Sequence, residues 1–63
     1  MNATEHKKLS EVRKSLIKTG LFCFERDGTF FLYREVRDAR NTKVLHSKDI
    51  DDFVRRVNKV ITK

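Results

Sequence analysis

The dipeptide Asp27-Gly28 constrains this chain more than any other feature. It separates Leu21-Phe22-Cys23-Phe24-Glu25-Arg26 from Thr29-Phe30-Phe31-Leu32-Tyr33-Arg34-Glu35-Val36, two runs rich in aromatic and β-favouring residues. Asp-Gly between such runs signals a hairpin with a two-residue turn, because these residues tolerate the positive φ angles such a turn requires. That turn also sets the register: Arg26 faces Thr29, Phe24 faces Phe31, and Phe22 faces Tyr33. Side chains alternate across a strand. One face therefore carries Phe22, Phe24, Phe31 and Tyr33, and the other carries Leu21, Cys23, Phe30, Leu32 and Val36. Both faces are apolar, so alternation leaves open which of them is covered.

Helical periodicity flanks the hairpin. Leu9, Val12, Leu16 and Ile17 form one apolar stripe, which predicts a helix over 4–19. Asn2 with Glu5, or Thr4, is placed to cap its start, and Gly20 to end it. With Gly20 left-handed, Leu21 would fall back toward Leu16. The strands are expected at 21–26 and 29–37. Asp38-Ala39-Arg40-Asn41 reads as a polar turn, followed by a short third strand over 42–46 that sets Leu45 opposite Val36. Ser47 reads as an N-cap, with Asp49, Asp51 and Asp52 favourably placed near a helix N-terminus. Ile50, Phe53, Val54, Val57, Val60 and Ile61 then predict a second helix over 48–62. The fold class is α+β, a three-stranded antiparallel sheet flanked by an N-terminal and a C-terminal helix (α-β-β-β-α), as a single small domain over 1–63.

Composition narrows the function classes. The chain has 63 residues, one Cys, 15 Lys+Arg against 9 Asp+Glu, and a formal charge of +6. One Cys forms no internal disulfide and no Cys-based zinc set. No apolar run is long enough to span a membrane, and Met1 to Leu9 has no secretory pattern, so a reducing cytoplasm is expected. No membrane partner and no cofactor are expected. The Asp residues lack the Gly and the later Glu of a calcium loop, so no metal site is expected either.

Lys18-Thr19-Gly20 closes the first helix with a Lys-x-Gly step, Gly28-Thr29-Phe30 follows the first strand, and Leu45-His46 ends the third. On these residues, the stretch from Ser10 to Arg34 in particular, the chain resembles the HicA-type toxins, small messenger-RNA ribonucleases with the α-β-β-β-α layout of double-stranded-RNA-binding domains. Those proteins carry Gly-Ser-His at the turn and Pro-His at the end of the third strand. Phe30 stands where the family has its catalytic His. The resemblance therefore implies the topology and an RNA ligand, while the substitution implies no catalysis.

The side chains point the same way. Acid–base work on RNA needs a positioned His or carboxylate beside a cation. The His residues are His6, near the terminus, and His46, for which Glu35 and Arg37 are the candidate neighbours. Cys23 between two Phe reads as a small buried hydrophobe. No catalytic residue is assigned. The positive balance lies mainly on the helices, and part of it, Arg55, Arg56, Lys59 and Lys63, complements a helix C-terminus. Lys7, Lys8, Arg13 and Lys14, with Arg34, Arg37, Arg40 and Lys43 around the second turn, are the candidates for phosphate contact. Phe22, Phe24, Phe31 and Tyr33 admit three arrangements: an open base-stacking face beside Arg26 and Arg37, a core face packed under the helices, or a face buried in a homodimer. The expected function is a non-catalytic nucleic-acid-binding regulatory domain, with RNA favoured over DNA. The alternative is a protein-interaction module, such as a small inhibitor, that dimerises or docks on a protein partner through its apolar sheet face.

Overall fold

The computed structural model describes residues 2–62 and has the expected order: α1 (Ala3–Ser15), β1 (Leu21–Arg26), β2 (Thr29–Arg34), β3 (Thr42–Ser47) and α2 (Ile50–Ile61). The strands form one antiparallel sheet in chain order, β1-β2-β3. The trace measures 35 × 25 × 15 Å, one sheet layer and one helix layer.

The hairpin follows its turn chemistry. Asp27 and Gly28 have φ of 52° and 81°, both positive as a type I′ turn demands. The strands then pair in the expected register, with Arg26 opposite Thr29, Phe24 opposite Phe31 and Phe22 opposite Tyr33.

α1 opens with a capping box. The Asn2 side chain accepts the Glu5 N–H at 2.9 Å, and the Glu5 carboxylate accepts the Asn2 N–H at 3.1 Å. Its end comes earlier than the expected residue 19. Leu16–Gly20 form turns, because Lys18 as well as Gly20 takes positive φ, at 68° and 76°. Thr19 fixes this exit: its hydroxyl donates to the Leu16 carbonyl at 2.6 Å and accepts the Leu21 N–H at 3.1 Å.

α2 begins at Ile50 and ends at Ile61 rather than spanning 48–62, and its cap is Asp49 rather than Ser47. The Asp49 carboxylate accepts the Asp51 N–H at 2.9 Å. Ser47 is instead the last, buried residue of β3; its hydroxyl accepts the Asp49 N–H at 3.2 Å and reaches the Asp52 carboxylate at 2.9 Å. It ties the strand to the helix from two residues before the cap.

The third strand also sits differently. β2 leaves the sheet at Arg34, not at 37, and Leu45 faces Leu32 instead of Val36. The cause is local. The Val36 N–H is taken by the Asn41 side chain at 3.2 Å, and Asp38 turns left-handed at φ 62°, so the connection consumes residues expected to pair. Between the Leu32–Leu45 and Tyr33–Lys43 pairs, Val44 is an extra residue, a β-bulge.

Both helices lie on one face of the sheet. The core joins Leu9, Val12 and Leu16 of α1 and its exit turn, Cys23, Phe30 and Leu32 of the sheet, and Ile50, Phe53 and Val57 of α2. Val44 and Leu45, the bulged residue and its neighbour, pack at the margin of this core. The arrangement with Phe22, Phe24, Phe31 and Tyr33 packed under the helices is thereby corrected: register puts all of them on the opposite face. No helix among the described residues is long and apolar enough to cross a membrane.

Candidate nucleic-acid interface

The helix-free face is an aromatic cluster. Phe22 and Phe24 come from β1, and Phe31 and Tyr33 from β2. Centroid separations are 6.2 Å for Phe22–Phe24, 5.8 Å for Phe22–Tyr33, 5.2 Å for Phe24–Phe31 and 5.4 Å for Phe24–Tyr33. Offset contacts at such separations are attractive, so the rings hold one another in place without help from a helix. Each is half-buried, with the remaining surface turned to solvent. Phe24 and Tyr33 each touch the other three rings.

β3 adds polar chemistry to the same face. His46 lies opposite Phe31, their rings 6.1 Å apart, and Lys43 lies opposite Tyr33. In a regular strand, residues 43 and 46 would point to opposite faces. The bulge at Val44 brings both onto the aromatic side. At the hairpin end, Arg26 shares the alternation of Phe22 and Phe24 and is exposed. A basic side chain thus stands near each end of the cluster.

The eight candidate phosphate contacts do not converge on one site. Lys43 borders the rings, while Arg34, Arg37 and Arg40 are exposed at or beyond the end of β2 nearest Tyr33. Lys7, Lys8, Arg13 and Lys14 belong to α1, on the other side of the sheet. Lys8 is already engaged by Asp51 of α2 in an ion pair that raises its pKa above the ordinary lysine value. Arg13 lies beside the Cys23 thiol, whose pKa is pushed up by burial and only partly drawn back by that guanidinium. Cys23 is a protonated core thiol at neutral pH, as its position between two Phe suggests. Arg26 and His46 are the members of the rim absent from the candidate phosphate set. For Arg26 the signal was its spacing from Phe22 and Phe24; for His46 it was its alternation with Leu45, which the expected third strand already set on the helix-side face.

Two positions bear on catalysis. Phe30, where the resemblance places a His, is 1% exposed and packs on Phe53 at 5.7 Å. His46 emerges on the opposite face. Its candidate neighbours Glu35 and Arg37 lie past the far end of β2, about 13 Å along the strand for Glu35 measured from Phe31, at ~3.3 Å per residue. The acid–base grouping considered for His46 is not assembled. Comparison of the chain with protein-family models, curated proteins and solved structures finds no match.

Proposed function

We propose that this domain binds single-stranded nucleic acid, RNA in preference to DNA, on the open face of its sheet and without cleaving it. One observation carries the reading: a preassembled cluster of Phe22, Phe24, Phe31 and Tyr33 is left uncovered by the helices and is bordered by Arg26, Lys43 and His46. Unpaired bases stack on aromatic side chains at about 1–3 kcal/mol each, and cations beside the rings reach the phosphates between them. RNA is favoured because its loops and single strands present unstacked bases. The chain's charge of +6 supports the same reading. Catalysis has no support in the described side chains, since Phe30 is sealed in the core and the His46 side chain has no hydrogen-bonded or ion-pair partner among the described residues.

A second reading, docking of a protein through the same face, is favoured by the ring–ring contacts, which make the cluster a continuous apolar patch. Salt separates the two. Anisotropy titrations of labelled single-stranded and duplex RNA, each at low and near-physiological salt, should show single-strand binding that weakens steeply as salt rises. Absence of binding at ~0.15 M salt would sink the nucleic-acid reading and leave the docking module.

A further inference from the structure

The two edges of the sheet are built differently. The β3 edge is broken by the bulge at Val44 and carries Lys43 and His46, with Lys48 just beyond, the kind of feature that keeps an edge from pairing. The β1 edge has no bulge, and its two charged residues, Glu25 and Arg26, are confined to the hairpin end. Its ladder with β2 is unbroken from Leu21 to Arg26, and the stretch Leu21-Phe22-Cys23-Phe24 holds neither a charge nor a proline.

The free groups on that edge can be identified. The type I′ turn closes on the Arg26–Thr29 pair, and at the other end the Gly20 carbonyl accepts the Glu35 N–H at 2.8 Å. The even-numbered residues therefore turn their backbone toward β2, and Leu21, Cys23 and Glu25 turn theirs outward. The Leu21 N–H is occupied by the Thr19 hydroxyl. The N–H groups of Cys23 and Glu25 and the carbonyls of Leu21, Cys23 and Glu25 have no partner among the described residues.

These groups are self-complementary. Antiparallel pairing of β1 with β1 of a second copy, about a two-fold axis at Cys23, joins the Cys23 N–H of each copy to the Cys23 carbonyl of the other. It likewise joins each Glu25 N–H to the opposite Leu21 carbonyl, so every unpaired N–H of the edge is satisfied. In this register Glu25 meets Leu21 and Arg26 meets Gly20, and no like charges face each other. Phe22 faces Phe24 of the second copy on the open side, which merges the two ring clusters. On the helix side, Ile17 is 68% exposed and lines the groove beside β1 with Leu21 and Cys23, where the second copy would cover it.

We propose that two copies of this chain pair through β1 into a two-fold dimer with one continuous sheet. The proposal concerns the sheet edge and does not rest on nucleic-acid binding. Its test is sedimentation equilibrium over a wide concentration range, combined with residue-resolved amide hydrogen exchange. The mass should rise from one chain to two and stop there. Over the same range, the Cys23 and Glu25 amides should slow by about tenfold or more while His46 does not change. Glu25→Pro removes a donor that β2 does not use, and should return the mass to one chain with the far-UV spectrum retained. If that variant fails to fold, the exchange pattern of the unaltered chain decides. A single-chain mass with fast Cys23 and Glu25 amides overturns the proposal. A dimer protected elsewhere, or growth beyond two chains, overturns it equally.

Discussion

The two faces of the sheet are almost equally apolar, yet they have opposite fates. One carries Cys23, Phe30 and Leu32, which disappear beneath Leu9, Val12, Leu16, Phe53 and Val57. The other carries Phe22, Phe24, Phe31 and Tyr33, half-buried rings that pack on one another and on His46. The difference shows that apolar character alone does not define a core. A helix-covered face is sealed by contacts from a second layer and contributes stability. A self-supporting aromatic face keeps its shape while leaving surface available to a ligand.

The sharpest way to break this comparison is to truncate one ring on each face. Phe53→Ala removes a fully buried ring and should cost about 3–5 kcal/mol, enough to unfold a domain of this size. A cooperative thermal melt within a few degrees of the parent would show that the helix side is not the core. Phe24→Ala, in the middle of the open-face ring cluster, should cost only about 0.8–1.5 kcal/mol of stability, half the value for full burial. It should nevertheless weaken single-stranded RNA binding about five- to 150-fold, the equivalent of one lost stacking contact. A large stability loss without a change in affinity would make the open face a second core.

Charge reversal sharpens the comparison further. Arg26→Glu with Lys43→Glu removes two cations from the aromatic side and should flatten the plot of log affinity against log salt by about 1.4 units on a single strand. Lys7→Glu with Lys14→Glu changes α1, behind the sheet, and should leave the slope nearly unaltered. If the second pair proves the more damaging, the footprint lies on the helices. The smallest effect is expected within the helix layer. Hydrogen bonds from Arg55 and Ser47 and the charge of nearby Arg56 hold the Asp52 carboxyl below its ordinary value of 3.8. With the folded-state pKa depressed, this stabilisation is present above 3.8 and is lost as pH falls through the folded value. Asp52→Asn should lower the melting temperature slightly at neutral pH, with the difference vanishing in acid. A difference that persists in strong acid would trace the effect to packing rather than charge.

The hairpin, both helices and their order were legible because each rests on local chemistry: Asp27-Gly28 for the turn, the capping pair Asn2 and Glu5, and the Phe53–Val57 stripe of α2. What the sequence concealed was the choice of face. In a regular third strand, Lys43 falls on the same side as Leu45, which obscures the polar character of the aromatic face. Only with Val44 bulged do Lys43 and His46 join that face while Leu45 stays with the core. A bulge of this kind has no signature in side-chain alternation, because it is the break in alternation. The early end of α1 was similarly hidden, since Lys18 adopts a left-handed conformation that its residue type does not announce. Half of the candidate basic set was placed on the wrong layer to meet the rings for a simpler reason: spacing along a helix says which residues lie together, not which side of a sheet the helix will occupy.

The strand order repeats the chain order, and this governs how quickly the molecule can assemble. Each sheet pairing joins neighbours in sequence, so each closes a short loop at small entropic cost. Hairpins of this kind form in about 1–10 μs, and topologies dominated by such local contacts fold rapidly. The demanding step is the meeting of the two helices, exemplified by Lys8 and Asp51, 43 residues apart in the chain. The sheet is therefore the surface on which the ends of the chain find each other. Slowing the Asp27-Gly28 turn should retard folding, whereas loosening the Lys8–Asp51 contact should chiefly hasten unfolding.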